Sequence, residues 1–168
     1  LATQEVPVPE PSRRLIGLKL ALDVLDVPMT PETFTDRLLL QKATYLSQAA
    51  GIRLGYRYSW YLKGPYSPEL TRDYFQLTAE SGITDGYKLR DDQMESLRRV
   101  TAVSTPPSGT HLTRADWLEL LASLHYLMER LGKTFEQASE IIGVTKAHLH
   151  PHVVAAHKAL QAAGLITE

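Results

Sequence analysis

Residues 33–78 read TFTDRLLLQKATYLSQAAGIRLGYRYSWYLKGPYSPELTRDYFQLT. The hydrophobic period changes twice along this stretch, and those changes decide the fold class. Leu39, Ala43, Leu46 and Ala50 recur at helical spacing, with Leu38, Tyr45 and Ala49 beside them. The apolar arc is wider than one packed face needs, which predicts a central helix contacted on two sides. Thr33 or Thr35 can cap it, Asp36 suits its first turn, and Gly51 suits the position just past its end. Lys42 falls between the two stripes, so its stem lies on apolar neighbours while its amine reaches an acceptor or water. The period then drops to two. Tyr56, Tyr58, Trp60 and Leu62 alternate with Arg57, Ser59, Tyr61 and Lys63, which predicts a strand with one packed and one partly wet face. Gly64 and Pro65 are expected to end that strand and turn the chain. Ser67, Pro68 and Glu69 then open a second helix, with Leu70, Tyr74 and Leu77 on one face.

The same reading extends outward. Residues 1–11, with three prolines and no periodicity, are expected to be a disordered lead-in. Ser12 is expected to cap a helix carrying Leu15, Ile16, Leu18, Ala21, Leu22 and Leu25, which Pro28 and Pro31 stop. The stretch TDGYKL, residues 84–89, suggests a short second strand and half of a wing-like hairpin. A short helix is expected from about Asp91 to Val100, and STPPSG, residues 104–109, marks a possible sub-domain junction. Trp117, Leu120, Leu121, Leu124, Leu127, Met128 and Leu131 form a strongly apolar helical face, opened by a Thr113–Asp116 capping pair and closed by Gly132. Thr134 and Gln137 fit the capping pattern of the next helix, and Pro151 opens the last one, which Gly164 ends. The expected architecture is mostly helical α+β. Residues 12–168 form a single helical domain with a small antiparallel sheet and winged-helix-like character.

Composition sets the outer bounds. The chain has 168 residues, 18 Lys and Arg against 19 Asp and Glu, and no cysteine. A chain of this length buries roughly 70% of its unfolded surface and needs no staple. Without cysteine, thiol chemistry, iron–sulfur centres and cysteine zinc sites are excluded. No apolar run approaches the roughly 20 residues of a membrane span, and no signal peptide is visible at the start. The expected location is cytoplasmic, with no membrane partner.

Two motifs carry a family resemblance. Leu38, Leu40, Gln41, Lys42, Tyr45 and Leu46 lie on the first helix, and Trp60, Gly64, Pro65, Tyr66, Pro68 and Leu70 follow. This pairing of a Leu-rich helix bearing Gln-Lys and Tyr with an aromatic strand ending in Gly-Pro resembles the YwgA-like small bacterial and archaeal proteins. More distantly, it resembles the Panacea domain of SocA-type antitoxins. The resemblance covers residues 33–78. To the Panacea relatives it attaches neutralisation of a toxin by protein contact, in one case with a proteolytic adaptor role.

Two other function classes have some support in the residues. Residues 134–153 resemble a helix-turn-helix, with Gly143-Val144 as the turn and Lys146–Leu149 opening a second helix. Pro151 would then fall near the middle of a recognition helix, at a cost of about 3 kcal/mol. Residues 101–168 hold five Lys or Arg and six Asp or Glu, a poor balance for phosphate contacts. Arg53, Arg57, Lys63 and Arg72, or Arg98 with Arg99, could still form a small basic patch. For catalysis, His148, His150 and His152 alternate through HLHPH, but no HExxH, nucleophile elbow or phosphate-binding glycine pattern accompanies them. The histidines read as a solvated or capping cluster. No catalytic, metal or cofactor residue is assigned, and no enzyme activity is expected.

The dense aromatic strand points to a protein partner, since alternation sends rings to both faces and exposed Tyr and Trp anchor interfaces. The expected function is a protein–protein interaction module, antitoxin-like or defence-associated. Tyr58, Tyr61, Lys63, Tyr66 and Arg72 are the candidate contacts, and a toxin, an adaptor target or a complex subunit is the partner. A homo-oligomer and a winged-helix DNA-binding regulator are the alternatives.

Overall fold

The computed structural model describes residues 10–28, 30–78 and 82–167. Helix α1 spans Glu10–Val24 and buries the predicted face, including Leu18 and Leu22. It starts earlier than the sequence suggests, so Ser12 lies inside the helix rather than at its cap. The lead-in expected over residues 1–11 lies outside the described residues apart from Glu10 and Pro11, which are helical. Past the end of α1, Arg114 donates to the carbonyls of Leu25 and Asp26, satisfying backbone acceptors that the helix leaves open.

Helix α2 spans Phe34–Ala49. Thr33 Oγ1 accepts from the Asp36 backbone N–H at 3.0 Å, and the Asp36 side chain accepts from the Thr33 N–H, closing a capping box. Every residue from Leu40 to Ser47 is buried, as expected of a helix packed on two sides. Its main neighbour is α5, Arg114–His125, of which ten of twelve residues are buried. The expected Thr113–Asp116 capping box opens α5. Its last turn widens into a π-helical turn, Tyr126–Arg130, before Gly132 takes a positive φ and ends the run. Helix α3 (Pro68–Thr78) begins at the expected Ser67, whose hydroxyl accepts from Leu70 N–H. Helix α4 spans Asp91–Val103. Trp117 on α5 donates its indole N–H back to the Val103 carbonyl at 2.7 Å, tying α4 to α5 across the 104–109 loop.

The sheet is one antiparallel hairpin, β1 (Ser59–Tyr61) with β2 (Gly64–Tyr66), in register Ser59↔Tyr66 and Tyr61↔Gly64. Two sequence expectations change here. Of residues 84–89, only Leu89 makes an isolated β-bridge and the rest form turns and loop, and the partner of β1 is instead Gly64–Tyr66, the segment expected to end the strand. The expected alternation holds from Tyr56 to Ser59, with Tyr56 and Tyr58 buried and Arg57 and Ser59 exposed, and it extends back through buried Ile52 and Leu54.

Helix α6 spans Phe135–Thr145 behind the expected Thr134–Gln137 capping box. Gly143 and Val144 belong to its last turn. The break falls after Thr145, a 3₁₀ turn follows at His150–His152, and α7 runs from Val153 to Ala162. Pro151 therefore precedes α7, where its missing N–H costs nothing, and the proline objection to a helix-turn-helix does not apply. Most buried apolar side chains, from Leu15 to Ile166, form one continuous cluster. Among the described residues, no helix is long and apolar enough to cross a membrane.

Candidate functional site

The hairpin sits on the α2–α5 pair because Gly64 lets it. Gly64 has φ +88°, and a Cβ there would run into Ser123 Oγ on α5, with Lys42 Nζ 3.7 Å away. Only glycine combines that backbone angle with that approach. The inward side of the hairpin carries Trp60, stacked on Tyr126 with ring centroids 5.9 Å apart. On the other side Tyr61 and Tyr66 meet edge to face at 5.2 Å, a diagonal cross-strand pair.

Two buried lysines hold the hairpin backbone from below. Lys42 on α2 donates to the Pro65 carbonyl at 2.5 Å. Lys146, just past α6, donates to the Leu62 carbonyl at 2.7 Å and lies over the Trp60 ring. Both lysines are almost fully buried. Lys146 stays compensated because Glu119 Oε2 is 3.0 Å from its amine, the two side chains being 1–2% exposed. That contact is one of opposite charges rather than an aligned hydrogen bond, since the oxygen has no hydrogen-bond partner among the described residues. Burial pushes the Lys42 amine down to about 7. Glu119 opposes the shift, and Lys146 and Lys63 add to it. Near neutral pH the cluster thus carries one ion pair and a lysine poised between its charged and neutral forms.

A second buried pair joins α2 to α5. Tyr45 Oη lies 2.7 Å from His125 Nδ1, and a ring N–H of His125 also meets the Leu165 backbone. These partners assign Nδ1 as the acceptor of the tyrosine hydroxyl. Burial pushes His125 down to about 4, with the Leu165 contact opposing and Arg130 reinforcing the shift. Gln41 completes the frame. Its amide exchanges two bonds with the Ser67 backbone, each 2.9 Å, which locks the start of α3 against α2.

On the outer side of this frame lies a cavity of about 310 Å³ between α2 and the hairpin. Phe34, Leu38, Tyr61, Leu62 and Tyr66 supply its apolar walls, while Arg37, Lys42 and Lys63 contribute the charge. Leu62 is 93% exposed, Phe34 57% and Tyr61 49%. Tyr66 is fixed by a 2.6 Å bond to Thr71 Oγ1, and Lys63 Nζ lies 5.9 Å from the Phe34 ring centroid.

Of the residues predicted from the sequence, Tyr61, Lys63 and Tyr66 come together around this cavity. Arg72 is exposed on α3 but does not line it. Tyr58 is in the core, packed edge-on against Tyr45 at 5.1 Å, and offers no surface to a partner. Leu62 was expected in the strand, on the face of Tyr56, Tyr58 and Trp60; it sits instead at the hairpin tip, beyond the last paired residue. Phe34 and Arg37 were missed because they flank the first turn of α2 rather than the aromatic strand. Glu119 and Lys146 were missed because their pairing is a tertiary contact across 27 residues of chain. The Arg98–Arg99 patch does not form. Arg98 pairs with Glu95, and Arg99 donates to the Ala50 and Ala163 carbonyls at the ends of α2 and α7.

The histidines of HLHPH diverge. His150 meets Ser139 at 3.3 Å, while His148 lies near Asp116 and Glu119, their ligand-type atoms within 4.8 Å of one another. Glu119 is already neutralised by Lys146, and Asp116 caps α5, so this trio has its charges engaged without an ion. No protein-family model, curated protein or solved structure matches the chain.

Proposed function

We propose that this protein is a protein–protein interaction module, an antitoxin-like or defence-associated accessory protein of a prokaryotic cytoplasm with no enzymatic role of its own. Its contact surface is the hairpin edge. The observation that carries this reading is the cluster of Leu62, Tyr61 and Phe34, exposed around a cavity and presented by a hairpin whose backbone two buried lysines hold. Isolated exposed apolar residues are ordinary. A contiguous set on a rigid support is what interface anchors look like. The resemblance of residues 33–78 to YwgA-like proteins and Panacea antitoxins points the same way. A toxin, an adaptor target or a complex subunit fits as partner.

The test is affinity capture of the tagged protein from its own host after nuclease treatment, in parallel with a Tyr61→Ala/Leu62→Asp/Arg72→Ala variant. One stoichiometric protein should co-elute with the wild type and be lost from the variant, whose fold is checked by circular dichroism. Equal capture by the folded variant would refute the surface.

A regulator that binds DNA is the second reading. The observation favouring it is the α6–turn–α7 arrangement, in which Pro151 no longer interrupts the second helix. A strongly salt-dependent mobility shift on duplex DNA would promote it.

A further inference from the structure

We propose that the cavity between α2 and the hairpin recognises an acidic segment of the partner, seating an apolar side chain against Phe34, Leu38, Tyr61 and Leu62 and a carboxylate between Arg37 and Lys63. This inference rests on the protein-binding reading and adds the chemistry of the bound segment.

Arg37 and Lys63 line the cavity as cations, Lys42 lies beneath with its amine on the Pro65 carbonyl, and no lining residue is acidic. Of the nearby acids, Asp36 closes the α2 cap and Glu119 faces Lys146 in the core, while Glu32, whose carbonyl accepts from Arg37, is exposed and is not part of the lining. A carboxylate arriving here would meet no repelling partner on the lining. Two of the neutral polar residues are engaged: Gln41 bonds Ser67 and Thr71, and Tyr66 Oη bonds Thr71. The polar groups left for a ligand are the Arg37 and Lys63 cations and the Tyr61 hydroxyl.

Arg37 is shaped for the task. Its described hydrogen bonds both leave through Nη1, to the Pro31 and Glu32 carbonyls at 2.9 and 3.3 Å. Those bonds orient the guanidinium while its other N–H groups remain for an incoming oxygen pair. Lys63 lies over the Phe34 ring, so a carboxylate drawn to Lys63 brings its neighbouring side chain onto an apolar wall. The volume, about 310 Å³, lies at the small end of ligand pockets and suits one or two side chains rather than a large ligand. A nucleic-acid backbone would supply the negative charge but no aliphatic group for the Leu38 and Leu62 walls.

The experiment is panning of a displayed random-peptide library on the immobilised full chain at physiological salt, followed by fluorescence anisotropy with the enriched peptides and with a single-stranded oligonucleotide. Enriched sequences should place an aromatic or large aliphatic residue beside Asp or Glu. Arg37→Glu/Lys63→Glu should weaken the best peptide more than tenfold, and added salt should weaken it further. Arg37 also supports the chain before α2, so Lys63→Glu alone, at an exposed position, is the second variant; it should weaken binding several-fold with an unchanged melting curve. Enrichment without acidic residues, no enrichment, tighter binding of the oligonucleotide at the same site, or indifference to Lys63→Glu would overturn the proposal. A partner captured through Tyr61 and Leu62 with no acidic preference would sink this inference and leave the protein-binding function standing.

Discussion

Replacing Gly64 with alanine tests the seating of the hairpin directly. Gly64 has φ +88°, and a left-handed backbone costs an L-residue about 1–2 kcal/mol. The new methyl would also meet Ser123 Oγ, while Ser123 Cβ, at 3.5 Å, is ordinary contact. Overpacking costs about 1–3 kcal/mol, and the lower end applies because Ser123 can swing its hydroxyl to another rotamer. Gly64→Ala should therefore destabilise the fold by about 2–3 kcal/mol. The Ser123 hydroxyl is buried with no hydrogen-bond partner among the described residues, so Ser123→Ala should cost little or stabilise. The double variant should recover the overpacking share, about 1 kcal/mol, and leave the backbone share in place. The assay is urea denaturation of all four proteins followed by far-ultraviolet circular dichroism, read as a double-mutant cycle. Gly64→Ala within about 0.5 kcal/mol of wild type, a change no larger than an ordinary surface substitution makes, would refute the argument. So would full recovery in the double variant, which would mean that the backbone angle carries no cost.

Three further outcomes follow from the buried ionisable groups. Glu119→Gln leaves the Lys146 charge buried without a counterion and should cost about 3–5 kcal/mol, whereas Glu119→Leu with Lys146→Met should come close to wild type; denaturant midpoints separate the two. His125 is held at about 4, against 6.5 in the unfolded chain, so the unfolded state binds the extra proton between those values. Stability should fall by about 3 kcal/mol as pH drops through that window, and His125→Gln should remove that component of the slope in urea titrations at successive pH values. Lys42, at about 7 against 10.5, has the same sign in a higher window. Stability should rise by up to about 1.4 kcal/mol per pH unit above 7, until buried Tyr45, Tyr56 and Tyr58 reverse the trend above about 10, and Lys42→Met should flatten the rise.

Local chemistry was legible where a residue's neighbours along the chain decide its state. The capping boxes at Thr33, Thr113 and Thr134, the Ser67 cap, and the helical and alternating stripes are all contacts within a few residues, and sequence spacing encodes them. The same spacing predicted a Lys42 amine reaching an acceptor. Alternation placed Tyr61 and Lys63 on one face of the strand and aromatic density added Tyr66, and these three line the cavity. Tyr58 was misplaced for a related reason. Alternation separates its face from that of Tyr61 without saying which is packed, the density of aromatics argued for exposure, and the ring lies in the core.

What the sequence by itself determined is the type and order of most elements, because hydrogen bonds and side-chain periodicity within a helix or strand are short-range. Tertiary structure alone decided that Gly64-Pro65 pairs with β1 instead of ending it. That choice depends on a close approach to Ser123, 59 residues later, which no local pattern records. It also decided that Glu119 neutralises Lys146 beneath the hairpin, and that Phe34 and Arg37 join the aromatic strand around one cavity. A buried charge is tolerable only where its counterion arrives, and a pocket exists only where separate segments meet, so both are properties of the packed chain.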